Sequence, residues 1–158
     1  MPLTHFDDKG HSRMVDISEK GHTRREAIAK GTIILKEETI KHIKDKSLSK
    51  GDVFEVARLA AIMAAKKTPY LIPLCHPIPL TSIDVSFTIV DAKHQIDVEA
   101  RVRCTGQTGV EMEALTAVSV ASLTVYDMCK AVDRGMIIKD IHLLKKSGGK
   151  SGLYQASI

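Results

Sequence analysis

The 158 residues make one ordinary domain, and a chain of this size buries roughly 68–70% of its unfolded surface, so it needs no disulfide or metal staple. A composition of 44% hydrophobic and 27% charged residues excludes intrinsic disorder, and 23 Lys plus Arg against 19 Asp plus Glu leave a mild excess of +4. That charge suits an anionic small molecule, whereas no Trp, three Phe and three Tyr leave little for a base-stacking nucleic-acid platform.

In chain order, residues 1–14 read as a flexible N-terminal lead-in; the polar start MPLTHFDDKGHSR has no apolar region of the kind that directs secretion. From Arg24 to Lys36 two readings compete. Thr23 and Glu26 fit a helix-opening capping box. Ala27, Ala29, Gly31, Ile33 and Leu35 alternate instead, and Thr32-Ile33-Ile34 is β-branched, which favours a strand. A short helix is expected over 37–46. A stronger one is expected over Asp52–Lys67, with Asp52 as N-cap and Pro69 as its stop. Four of the five prolines fall between Pro69 and Pro79 and predict a stiff, irregular loop.

Two strands follow, Ile83–Ile89 and Ile96–Cys104, each alternating wet and dry around a turn at Asp91–His94. A long helix over about Glu111–Val132 is apolar almost all round in its middle, ALTAVSVASLTVY, and an oligomer interface is its natural cover. A last strand, Met136–Lys145, leads into the tail KSGGKSG. The order strand, helices, strand, strand, helix, strand is that of an α+β fold, the ferredoxin-like β-α-β-β-α-β sandwich: an antiparallel sheet with helices on one face. No repeat, linker or second domain is apparent, and residues 15–158 read as a single domain. Neither of the two long uncharged stretches reads as a membrane span, one being broken by prolines and the other, Ala114–Tyr126, being 13 residues long. The thiols of Cys75, Cys104 and Cys129 are odd in number and widely spaced, as expected of a reduced, cytoplasmic protein. The seven His form no zinc-type cluster with them.

Several polar residues sit in apolar or Gly/Pro-rich settings. His76, between Cys75 and Pro77, is either a ligand or proton carrier held in a rigid loop, or a loop histidine bonded to a nearby carbonyl. Cys75 reads as buried filler rather than a nucleophile, since the sequence positions no base beside it. Glu111 and Glu113 open the long helix, where carboxylates are favourable anyway; two residues apart, at most one is expected to face a given pocket. Asp127 and Lys130 share a helical face and are either a solvated pair or a carboxylate and amine sharing acid/base work. Glu113 and Asp127, 14 residues apart, are ~21 Å apart along one helix, which predicts that two subunits pack these helices antiparallel to bring them together. Gly149-Lys150-Ser151 ends like a phosphate loop, but no helix can follow, so the tail is either a phosphate-gripping flap or a frayed terminus. Lys50, before a helix start, is phosphate contact or surface charge.

Six blocks in order carry a resemblance: Met14-Val15-Asp16-Ile17-Ser18, Lys50-Gly51-Asp52-Val53-Phe54, Ile72 to Pro77, Gly109 to Thr116, Tyr126 to Ala131 and Lys146 to Gly152. Together they resemble the cyclic pyranopterin monophosphate synthase family, accessory protein C of molybdenum-cofactor biosynthesis. The resemblance implies a cytoplasmic lyase, its catalytic domain residues 15–158, that converts 3′,8-cyclo-7,8-dihydroguanosine 5′-triphosphate to cyclic pyranopterin monophosphate and pyrophosphate. It implies a hexamer built as a trimer of dimers with sites at a dimer interface, and leaves open contact with the upstream radical enzyme and Mg2+ beside the triphosphate. Asp127 then matches the catalytic aspartate and Lys130 its partner, and Lys50 a catalytic basic residue around the triphosphate and ring-opening chemistry. Leu74, Cys75, His76, Met112 and Glu113 match substrate-binding segments, and Lys146, Lys150 and Arg25 the basic residues around the triphosphate. The alternative is a non-catalytic ferredoxin-like ligand-binding or assembly module.

Overall fold

The computed structural model describes residues 4–157; the first three residues of the lead-in lie outside it. The elements are β1 (Thr23–Ile34), α1 (Glu37–Lys44), α2 (Val53–Lys66), α3 (Thr68–Leu71), β2 (Leu80–Val90), β3 (Gln95–Gly106), α4 (Glu111–Cys129), β4 (Ile137–Ser147) and β5 (Tyr154–Gln155). One sheet runs β2-β3-β1-β4-β5, with every neighbouring pair antiparallel. The first four strands therefore have the ferredoxin-like order, an α+β arrangement.

The strand reading wins at β1 because pairing on both sides outweighs a helix cap. Thr23 lies opposite Gly106, and Glu26, which a capping box would fold back, reaches across to Arg103 at 2.7 Å. α2 begins as its sequence requires, the Asp52 carboxylate accepting from the Glu55 N–H at 3.3 Å. The proline-rich segment is more ordered at its start than expected. Pro69 stands in the first turn of α3, where its missing N–H costs nothing, and only after Leu71 is the chain irregular.

The core lies between the sheet and α2 with α4. Ile33, Ile96, Val98, Val102, Val118 and Val125 are fully buried, each contributing roughly 1.5–3 kcal/mol by leaving water. α4 crosses the sheet so closely that a Cβ at Gly31 would stand 2.8 Å from Val118 Cγ1. Sandwiched between α2 and strands β1, β3 and β4, α4 is covered mostly by its own chain, with Leu123 left 59% exposed. Its all-round apolarity is thus met within the fold and does not by itself require a partner. The helix ends at Cys129 with Lys130 as cap, three residues before the sequence expectation. β5 was not expected: Tyr154 and Gln155 pair with Lys146 and Lys145, and the Ala156 N–H donates to the Leu144 carbonyl, so the tail is pinned to the sheet edge. Among the described residues no helix is long and apolar enough to cross a membrane.

Candidate active site

The proposed site residues gather at the two ends of α4. At its N-terminal end lies a pocket of about 520 Å3 lined by Lys20, Arg25, Thr108, Glu111, Lys146 and Lys150, among others. Arg25 projects from β1 and is fixed where its Nε donates to the Gly106 carbonyl at 2.9 Å. Lys146, near the end of β4, pairs with Glu111 at 3.1 Å and donates to Ser151 Oγ at 2.7 Å. The glycine turn after β4 is shaped around these groups: Gly148 has φ +93° and a Cβ there would collide with the Arg24 carbonyl, while one on Gly149 would meet the Arg25 guanidinium. Only residues without a side chain let this turn lie on β1. The tail is accordingly a formed wall of the pocket. Its end of the sheet combines four cations with one carboxylate, a setting for a multiply charged anion.

A smaller pocket of about 190 Å3 adjoins it through Thr108, Gly109 and Glu111, and brings in Leu74, Cys75, His76, Met112 and Glu113. Both Glu111 and Glu113 line it, contrary to the expectation that at most one would. The pocket lies at the end of the helix rather than along its side, so both residues of the first turn line it. Glu113 is 3% exposed. Burial, reinforced by the neighbouring Glu111 charge and opposed by its own backbone N–H, pushes its carboxyl up to about 7. Burial also raises the Cys75 thiol, with Glu113 and Glu111 adding to the effect, so it is held as the neutral thiol. His76 is the carbonyl-bonded loop histidine of the second reading, and it also lines this pocket. Its Nε2 stands 2.5 Å from the Val15 carbonyl, which only accepts, so Nε2 carries a proton and donates to it.

At the other end of α4, Asp127 accepts from Lys130 Nζ at 2.8 Å and from Lys50 Nζ at 3.3 Å, and Lys50 also donates to the Asp127 carbonyl at 2.9 Å. Hydrogen bonds from Lys130 and then Lys50 hold the Asp127 carboxyl below the usual range, and Asp127 in turn raises Lys130. The triad is open to solvent, with Asp127 58% and Lys130 53% exposed, so in one chain it is a wet ion cluster rather than a desolvated acid/base pair. Fourteen residues of helix, ~21 Å, separate it from Glu113. One chain gathers eight of the eleven predicted residues around two joined pockets and leaves Lys50, Asp127 and Lys130 elsewhere.

Sequence reasoning did not single out Lys20, Thr23 and Thr108 as site residues of the larger pocket, or His5 in the smaller, whereas Ser151 belongs to the glycine-rich tail motif. Lys20 and Thr23 stand beside the predicted Arg25 strand, and Thr108 in the turn between Gly106 and Gly109, but no local pattern marks them. Among the described residues no three His, Cys, Asp or Glu are grouped to hold a metal ion.

A family model of the MoaC family matches residues 14–149. The chain belongs to the MoaC family. Similar proteins agree over nearly the whole length. A cyclic pyranopterin monophosphate synthase of Heliobacterium modesticaldum is 59% identical over 153 residues, 97% of this chain and 96% of the relative. One from Thermoanaerobacter pseudethanolicus is 56% identical over 158 residues, all of both chains, and one from Magnetococcus marinus is 59% identical over 150 residues, 95% and 92%. The MoaC match contains every predicted site residue except Lys150, which follows it by one position.

Proposed function

We infer that this chain is a cyclic pyranopterin monophosphate synthase, a pyrophosphate-releasing lyase of the cytoplasm that acts in molybdenum-cofactor biosynthesis. Its substrate is 3′,8-cyclo-7,8-dihydroguanosine 5′-triphosphate. One observation carries the reading: a chain aligned end to end with synthases at 56–59% identity places four cations round one pocket, joined to a second pocket holding a near-neutral carboxyl and an imidazole.

The chemistry divides along the same line. A ribose oxygen attacks the α-phosphorus, the bond from that phosphorus to the β-phosphate bridging oxygen breaks, and pyrophosphate leaves as its charge grows on the bridging oxygen. Arg25, Lys146 and Lys150 stabilise that charge, the first by a planar fork and the others as point charges. Lys146 is held by Glu111 until the phosphate takes its place. Rearrangement of the purine-derived ring needs several proton transfers, and Glu113, its carboxyl pushed up to about 7, and His76, which lines the same pocket, serve them at the heterocycle. Asp127 with Lys130 and Lys50 serves as the remaining acid/base group. Since Asp127 is far from both pockets of its own chain, the working site pairs the pocket end of one α4 with the Asp127 end of another in a homo-oligomer. Exposed Val56, Leu59 and Met63 on α2, with Leu123 on α4, offer apolar surface for such a contact. Covering Asp127 would strip water from it and bring its carboxyl toward useful acid/base strength.

The experiment is anaerobic incubation of the pure protein with the cyclised dihydro-GTP substrate, following pyrophosphate and the cyclic phosphate product together. Stoichiometric appearance of both is expected. Tight binding with no turnover would instead support the binding-module reading, and absence of both would overturn the assignment.

A further inference from the structure

The small pocket has a wall that no part of the 14–149 family match supplies. His5 lines it together with Cys75, His76, Met112 and Glu113. His5 belongs to a tight hairpin, residues 4–13, in which Phe6 bridges Ser12 and the His5 carbonyl accepts from the Arg13 N–H at 2.8 Å. Asp7 shapes the turn: its Oδ1 accepts from the Lys9 and His11 N–H groups, both at 2.9 Å, and Gly10 supplies φ +79°. The following segment is tied over the site by His76 to the Val15 carbonyl and by Gln107 Nε2 to the Lys20 carbonyl at 3.0 Å. The hairpin therefore rests beside the pocket through His76, one of the pocket's own residues.

We propose that His5 is a substrate-contacting residue whose imidazole hydrogen-bonds the guanine-derived heterocycle lying against Cys75, His76, Met112 and Glu113. This rests on the synthase reading. The chemistry of the walls selects the heterocycle over the phosphates. The cations line the neighbouring pocket, whereas this one holds two carboxylates, a neutral thiol and a thioether. Carboxylates repel phosphate and accept from ring N–H groups. A neutral imidazole both donates and accepts, which matches a ring edge carrying a carbonyl beside N–H groups. His5 is exposed and makes no side-chain hydrogen bond among the described residues, so it is available to a ligand without breaking the fold.

Steady-state turnover of the cyclised dihydro-GTP substrate by full-length variants tests this, with thermal unfolding alongside. One neutral hydrogen bond made equally in the ground and transition states predicts that His5→Ala raises KM about fivefold and leaves kcat within about twofold. His5→Gln, which keeps a donor and an acceptor, should recover most of that affinity, and Asp7→Ala, which frees the hairpin, should give an intermediate rise. All three variants should melt with the wild type. A wild-type KM in His5→Ala, or a fall in kcat at constant KM, would overturn the proposal. If the wild-type protein binds this nucleotide but does not turn it over, the synthase reading fails separately. The same comparison then moves to Kd: an approximately fivefold rise in His5→Ala supports the contact and an equal Kd refutes it. Absence of wild-type binding overturns both.

Discussion

Two carboxylates on one helix are pushed in opposite directions by their surroundings. Glu113 is nearly inaccessible and titrates near 7, whereas Asp127 stands in water between two ammonium groups that keep it ionised. The contrast gives predictions of opposite kind. Asp127→Asn keeps the size but removes the base, together with one of the two oxygens that accept from Lys130 and Lys50. It should lower kcat by about 10²–10⁴-fold with little change in KM, read by pyrophosphate release. For Glu113 the sign follows from linkage. Its folded carboxyl holds the proton more tightly than the unfolded one, so between about pH 4.5 and 7 the folded chain binds more protons and stability falls as pH rises. The full penalty, present above pH 7, is of the order of 3 kcal/mol. Glu113→Gln should flatten this slope in urea titrations measured from pH 4 to 8, and remove any group near 7 from the pH–rate profile. A slope unchanged in the variant would reject the assignment.

At the scale of elements, the glycine turn behind β4 connects sequence to site most directly. Gly148 lies in the left-handed region with the Arg24 carbonyl where a Cβ would go. Gly148→Ala must lift the turn off β1 and carry Lys150 and Ser151 out of the pocket. It should cost about 1–3 kcal/mol and raise KM for the triphosphate substrate, while product retains its normal identity. Wild-type KM and melting temperature together would contradict this. The same region shows where sequence reading stops. β1, α2 and the β2–β3 hairpin were legible because alternation, an Asp cap and a turn are local signals. β5 was not, since two residues following a glycine-rich tail have no pattern until Lys145 and Lys146 pair with them. α3 was hidden because proline is both a helix stop and a good first-turn residue.

For the molecule as a whole, eight predicted site residues from four separated stretches of sequence meet at one end of α4, and all but Arg25 lie in the motif blocks. Residue spacing supplied the other half of the argument: fourteen helical residues forbid Glu113 and Asp127 from sharing a pocket within one chain. What spacing could not reveal was that Glu111 and Glu113 share a pocket, because the cavity's place at the helix end is a property of the assembled fold. The central claim is that the working site is built from the pocket end of one copy and the Asp127 triad of another. It is tested most directly by mixing Asp127→Asn and Glu113→Gln chains after subunit exchange. Each variant alone should be nearly inactive. In a dimer with two interface sites, random mixing restores one intact site in half of the dimers, so the mixture should regain about a quarter of wild-type turnover. A mixture that has demonstrably exchanged subunits, yet is no more active than its separate components, would contradict the account.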